Sequence, residues 1–190
     1  MSQRNSGYER IEDDRYETPA WVTMALLGVY DVVRTVYEPA AGNGKMVRAL
    51  LASGRAVWSN DIRPLPGLCS VHDFLSVQRL PVGGDVAVVC NPPYGDDRGR
   101  TAVKFIEHAL ILTYANGGQV CALLKSDFDH AKSRRHLFGG SATFAGTVVL
   151  VDRIRWIEGS VGSPSENFSW FIWDWNWNGP PIIRYAGVET

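Results

Sequence analysis

The sequence lacks a long apolar run, carries little cysteine and has almost no net charge, and each shortage excludes something. No stretch approaches the roughly 18 apolar residues of a membrane span, and the start, Met1-Ser2-Gln3-Arg4-Asn5, has no apolar core of a secretory signal. The three cysteines, Cys69, Cys90 and Cys121, are odd in number, widely spaced and set in or beside apolar runs. Such a set offers neither a disulfide framework nor a zinc site, and reads as reduced, buried thiols of a cytoplasmic protein. A net charge of −1 excludes a uniformly basic surface for polyanions. Internal repeats and low-complexity tracts are missing as well.

What is present is a chain of 190 residues, 45% hydrophobic and 21% charged, the profile of one soluble globular domain. Residues 1–15 read as a polar, loosely ordered leader holding Glu9, Glu12, Asp13 and Asp14, and residues 16–190 as a single domain. Positive charge gathers at Arg98, Arg100 and Lys104, and again at Lys125, Lys132, Arg134 and Arg135. Such clusters are either solvated helix faces or phosphate contacts. Position favours the second group, Lys125, Lys132, Arg134 and Arg135, as the substrate-binding candidates.

Thr18-Pro19 ahead of Trp21, Met24, Ala25 and Leu27 predicts a helix with Thr18 as its cap. Strands are predicted over residues 32–38, 56–60, 86–90, 119–124, 146–151 and 168–175, with a brief further element near 71–74. Helices are predicted over 46–52, 102–114 and 131–138. The 168–175 run is apolar at both phases of the two-residue period, which puts it inside the sheet and not on its edge. Residues 182–185 are either a last strand or an extended tail. The alternation spells an open, mostly parallel α/β sheet flanked by helices. Ligands of such sheets bind beyond the carboxyl ends of the strands.

Glu38-Pro39-Ala40-Ala41-Gly42-Asn43-Gly44 leaves the first strand and enters a helix. Its glycines let the backbone bend sharply and approach a ligand, and the helix start offers unpaired N–H groups. Asp61 ends the next strand, about twenty residues on, where a carboxylate can accept both hydroxyls of a ribose. Val47 stands near where a dinucleotide site wants a third glycine, so the expected ligand is a nucleoside without a pyrophosphate. Asp73-Phe74 adds a carboxylate for an adenine amino group and an aromatic face to stack on it; Asp73 reads equally as a helix cap.

Asn91-Pro92-Pro93-Tyr94 comes directly off the apolar run Val86-Ala87-Val88-Val89-Cys90. At the mouth of a sheet it offers a side-chain amide, a main-chain carbonyl, a rigid proline pair and an aromatic plate. An exocyclic aromatic amine is a poor nucleophile, because its lone pair is delocalised into the ring. If the Asn91 amide oxygen and the Pro92 carbonyl each accept one N–H, the nitrogen can pyramidalise toward an electrophilic methyl group, with Tyr94 stacked on the base. Catalysis of this kind rests on positioning and electrostatics.

Taken together these runs resemble the amino-group methyltransferases that use S-adenosylmethionine, specifically the adenine-N6 DNA methyltransferases. Tyr16-Glu17-Thr18-Pro19 resembles that family's N-terminal donor motif, residues 38–44 its glycine-rich motif, and Asn91 to Tyr94 its catalytic tetrapeptide, in the unpermuted order. The resemblance implies S-adenosyl-L-methionine as cofactor, held by Tyr16, Thr18, Pro19, Glu38, Pro39, Ala40, Gly42, Gly44, Asp61, Ile62, Asp73, Phe74 and Asn91. It implies catalysis by Asn91, Pro92, Pro93 and Tyr94, adenine in DNA as acceptor, and a seven-stranded Rossmann-like sheet with an antiparallel last strand.

The segments 95–118 and 126–145 are too short for a target-recognition domain. Relaxed specificity, or recognition borrowed from a partner protein or a second copy, is therefore expected. The same tetrapeptide serves RNA base-amino and protein glutamine-amide methyltransferases, which makes those polymers the second reading. The glutamine-modifying enzymes usually carry a further N-terminal helical domain that these residues do not spell. A third reading is a non-catalytic subunit. Trp156, Gly159, Ser160, Gly162, Ser163 and Pro164 read as a mobile substrate loop.

Overall fold

The computed structural model describes residues 16–94, 99–157 and 164–188. The leader with its acidic residues, Arg98, and Gly159, Ser160, Gly162 and Ser163 of the expected substrate loop lie outside the described residues.

Val86–Cys90, a run without one polar side chain, forms strand β4 of an eight-stranded sheet and is buried at every position. Val86 and Val88 face one core while Ala87 and Val89 face the other, as period-2 alternation between two covered faces requires. Around it stand β1 (Thr35–Glu38), β2 (Ala56–Asp61), β3 (Ser70–Val71), β5 (Gln119–Lys125), β6 (Phe144–Leu150), β7 (Phe168–Asp174) and β8 (Ile182–Ala186). Their order across the sheet is β3-β2-β1-β4-β5-β7-β6-β8. β7 runs antiparallel to both neighbours, pairing Cys121 with Ile172 on one side and Val148 with Trp170 on the other. Every other pairing is parallel.

The expected seven strands are all found, and β7 is buried along its whole length. The stretch left open between strand and tail is an eighth strand, paired in parallel with β6. Gly146 permits that pairing. Its φ is +135°, and a Cβ there would lie 2.0 Å from the Ile182 carbonyl oxygen.

Helices α1 (Ala20–Val29) and α2 (Lys45–Ala52) supply Val22, Leu26, Met46 and Leu50 to one core. Helix α3 (Arg100–Tyr114) supplies Ala102, Ile106 and Ala109 to the other. Trp170 and Trp173 are fully buried on opposite faces of β7. Their indole N–H groups donate to the Val22 carbonyl at 2.9 Å and the Leu137 carbonyl at 2.6 Å, so each face is stitched to the strand as well as packed on it.

Two local expectations are corrected. Thr18 does not cap α1: the cap position is Pro19, with no side-chain cap bond, and the Val22 N–H donates to the Pro19 carbonyl. The basic segment expected as a helix over 131–138 is a 3-10 turn, Lys132–Leu137. Its like charges repel within one turn, and Gly139-Gly140 follows at once, so no α-helical length is available to repay nucleation. No helix among the described residues is long and apolar enough to cross a membrane.

Candidate functional site

Strand order reverses between β1 and β4, the place where an open α/β sheet leaves a crevice beyond its carboxyl ends. A cavity of about 480 Å³ lies there, within the usual range for a small-molecule site. Of the residues expected to hold a cofactor, Tyr16, Thr18, Glu38, Pro39, Ala40 and Gly42 line it, as do Asp61, Ile62, Asp73, Phe74 and Asn91. Pro19 and Gly44 do not. Gly44 instead makes the turn into α2 at φ +80°, a conformation costly for residues with a Cβ. Pro93 of the tetrapeptide lines the cavity, whereas Pro92 and Tyr94 do not.

Asp61 arranges the glycine turn. Its Oδ2 accepts the Gly42 N–H at 2.9 Å and its Oδ1 the Arg63 N–H at 2.8 Å, which leaves lone pairs on both oxygens for a ligand. Glu38 is the most enclosed acid. Burial pushes its carboxyl well above the usual carboxylate range, and the Asp61 charge pushes it further. Glu38 Oε2 has no hydrogen-bond partner. Asp73 does what its cap reading required, accepting the Leu75 N–H at 3.0 Å while also bordering the cavity.

Phe74 corrects a further expectation. It is 2% exposed, with ring centroids 4.9 Å from both Phe105 and His108 and 6.0 Å from Tyr37. It forms part of the floor and has no open face to stack on an adenine. The apolar groups that stand open at this wall are Ile62, Leu65 and Leu75, each more than a third exposed. Of these, Leu65 and Leu75 were missed, because an exposed leucine carries no sequence signal. Lys45 was missed too. It pairs with Glu17 at 3.2 Å, tying the Tyr16 segment to the start of α2.

Asn91 Nδ2 donates to the Tyr16 carbonyl oxygen at 3.1 Å. Tyr94 is fixed from the other side, its hydroxyl accepting the Lys125 N–H at 2.5 Å. Its ring meets Phe128 edge-on at 6.4 Å. Burial drives the Tyr94 hydroxyl pKa far up, and the Lys125 N–H only partly offsets this, so the phenol is neutral at any working pH.

Two of the four expected phosphate contacts are engaged within the protein. Lys125 Nζ pairs with Glu166 at 2.5 Å. The Arg134 guanidinium lies 3.9 Å over the Phe128 ring and donates to the Phe128 carbonyl at 2.8 Å. Lys132 and Arg135 are exposed. Cys90 and Cys121 are buried and unpaired, Cys69 is half-buried, and no group of His, Cys, Asp or Glu among the described residues could hold a metal ion.

A sheet ordered β3-β2-β1-β4-β5-β7-β6 with β7 reversed, and a glycine-turn cavity at the switch point, define a Rossmann-like class I methyltransferase fold. Solved structures agree with that assignment. The modification subunit of a candidate type I restriction enzyme from Vibrio vulnificus superposes with a TM-score of 0.58 at 16% identity, over 92% of this chain and 47% of that one. A candidate RNA methyltransferase from Pyrococcus horikoshii gives 0.61 at 15% identity, over 90% of this chain and 92% of that one. The magnesium protoporphyrin IX methyltransferase of Synechocystis gives 0.51 at 14% identity, over 80% and 75%. This chain thus spans about half of the Vibrio subunit and nearly all of the Pyrococcus protein. At such identities the likeness is one of fold. No family model matches the sequence, and no curated protein does.

Proposed function

We propose that this protein transfers a methyl group from S-adenosyl-L-methionine to the exocyclic amino group of adenine in DNA. One observation carries the reading: Asn91 leaves β4 beside the cavity with its amide nitrogen occupied by the Tyr16 carbonyl, so its Oδ1 is the atom left to accept. An acceptor held at the end of a buried strand, followed by Pro92 and Tyr94, suits an aromatic amine that must give up an N–H.

The cavity residues fit the donor by charge and shape. Glu38, Asp61 and Asp73 present carboxyl groups to a ligand that carries an ammonium, a ribose and an adenine, and Ile62 and Leu75 border the same space. The buried, unpartnered Oε2 of Glu38 suits a cationic group. When bound, the donor supplies a methyl group on a positively charged sulfur. The chain's own part is to hold the amine in line: Asn91 Oδ1 and the Pro92 carbonyl accept its hydrogens, and Tyr94, pinned by Lys125, supplies the ring against which the base rests. A base inside a duplex would first have to leave the stack.

RNA is the second reading, favoured by the match over most of both chains with the Pyrococcus protein, a candidate RNA methyltransferase. On either reading the described residues between β4 and β5 and between β5 and β6 hold α3 and short turns, so the determinant of target choice lies outside these two segments. The test is incubation with labelled donor and a panel of duplex DNA, single-stranded DNA, RNA and glutamine-bearing protein, followed by digestion to nucleosides or amino acids. Label in N6-methyladenine from DNA is the expected result. Label in RNA alone, in protein alone, or in none would overturn it.

A further inference from the structure

A second cleft, of about 500 Å³, is lined by Trp21, Asp152, Arg153, Arg155, Pro164 and Val188. We propose that it seats the single-stranded nucleic acid flanking the target nucleotide, with Arg153 and Arg155 on phosphates and Trp21 against a base. The proposal rests on the nucleic-acid reading above.

Position comes first. Residues 151–155 leave the carboxyl end of β6, and Trp21 is the second residue of α1, so the cleft opens on the same rim of the sheet as Asn91. One aromatic pair links the two places. Trp156, next to Arg155, meets the Tyr16 ring at 5.6 Å, and the Tyr16 carbonyl holds Asn91 at 3.1 Å.

Side-chain direction comes second. Arg153-Ile154-Arg155 has no helical turn, and Ile154 is 2% exposed in the core beneath. With the middle residue pointing in, its two neighbours point out together. Arg153 is also held in place: Nε donates to Asn167 Oδ1 and Nη1 to the Pro164 carbonyl, both at 3.0 Å. A guanidinium has more donors than these two bonds use, and the rest form a fork suited to phosphate.

Charge is the third consideration. Among the described residues Asp152 is the one acid lining the cleft, and its Oδ2 already accepts the Val188 N–H at 2.9 Å. Two guanidiniums beside an indole form the combination that binds single strands through phosphate and base face. They also supply local positive potential on a chain whose net charge is −1.

The experiment measures binding of a fluorescent single-stranded oligonucleotide against salt concentration. Arg155→Gln, which leaves the ties of Arg153 untouched, should lower the salt slope by about 0.7, the share of one phosphate. Arg153→Gln with Arg155→Gln should lower it by about 1.4 and weaken binding several-fold at low salt. Trp21→Leu, which keeps apolar cover over the core, should weaken binding with the slope unchanged. Donor binding by calorimetry should be the same in all variants. An unchanged slope in Arg155→Gln, with salt-dependent binding by the unaltered protein, overturns this cleft alone. Absence of polymer binding by the unaltered protein overturns the nucleic-acid reading itself.

Discussion

Asn91 and Tyr16 lie 75 positions apart, and the bond between them runs from a side-chain amide to a main-chain carbonyl. A carbonyl has no proton to give, so the contact sets which end of the amide faces it. The Tyr16 segment therefore orients the Asn91 amide, the group proposed to receive the substrate's N–H, besides lining the cavity.

Replacing Asn91 with Ala removes that acceptor. Transfer should fall by about 10²- to 10³-fold, the usual cost of one oriented polar group at a reacting centre. Donor affinity should change only a few-fold, because most of the cavity wall comes from other segments. Single-turnover rates and calorimetry separate the two. Equal losses in both would mean that Asn91 only holds the donor.

Tyr94→Phe keeps the ring and deletes the acceptor of the Lys125 N–H. A donor left unpaired in that part-buried place costs about 1–3 kcal/mol. Thermal stability should drop while transfer largely survives, whereas Tyr94→Ala should lose transfer as well. The pH–rate profile should show no ionisation from this phenol, since burial holds it protonated throughout.

Glu38 gives a pH dependence of stability with a definite sign. Its folded-state pKa is raised by burial and by Asp61, so between the unfolded value, about 4.3, and the folded value the native state holds a proton that the unfolded chain has lost. Its contribution is fully present below the unfolded value and is lost as pH rises through the folded one. Glu38→Gln should therefore raise Tm at pH 7, with the gain vanishing near pH 4, and should weaken donor binding. A Tm difference independent of pH would contradict this.

Asp61 acts on the glycine turn and on the donor together. Asp61→Ala frees the Gly42 N–H and removes the carboxylate proposed for the ribose. At about 1.5–3 kcal/mol for hydrogen bonds to a charged group, donor Kd should rise roughly 10- to 100-fold, with turnover at saturating donor less affected. Titration calorimetry against the unaltered protein reads this directly, and an unchanged Kd would remove Asp61 from the donor site.

Much of the architecture is legible where one physical signal dominates. Val86–Cys90 and Phe168–Asp174 have no polar face, so both had to be interior strands. Gly42 and Gly44 stand where the backbone turns at positive φ. Legibility fails where the outcome depends on neighbours distant in sequence. Phe74 looked like a free aromatic face until Phe105 and His108 of α3 closed on it. Lys125 and Arg134 looked like phosphate contacts, yet Glu166 and Phe128 engage them within the protein. Residues 182–186 became a strand only because Gly146 leaves room for the Ile182 backbone.

The position of β7 bears on how the molecule is made. β6 precedes it in the chain, yet β7 lies between β5 and β6, so a nascent chain that has emerged only through residue 150 holds two strands with no bridge between them. Both would present open edges, the arrangement that invites association between chains. The indole of Trp170 also reaches back across 148 positions to the Val22 carbonyl. Helix α1, which follows directly on Tyr16 and Thr18, is thus seated by a strand made long after it, and completion of the cavity rim waits on β7.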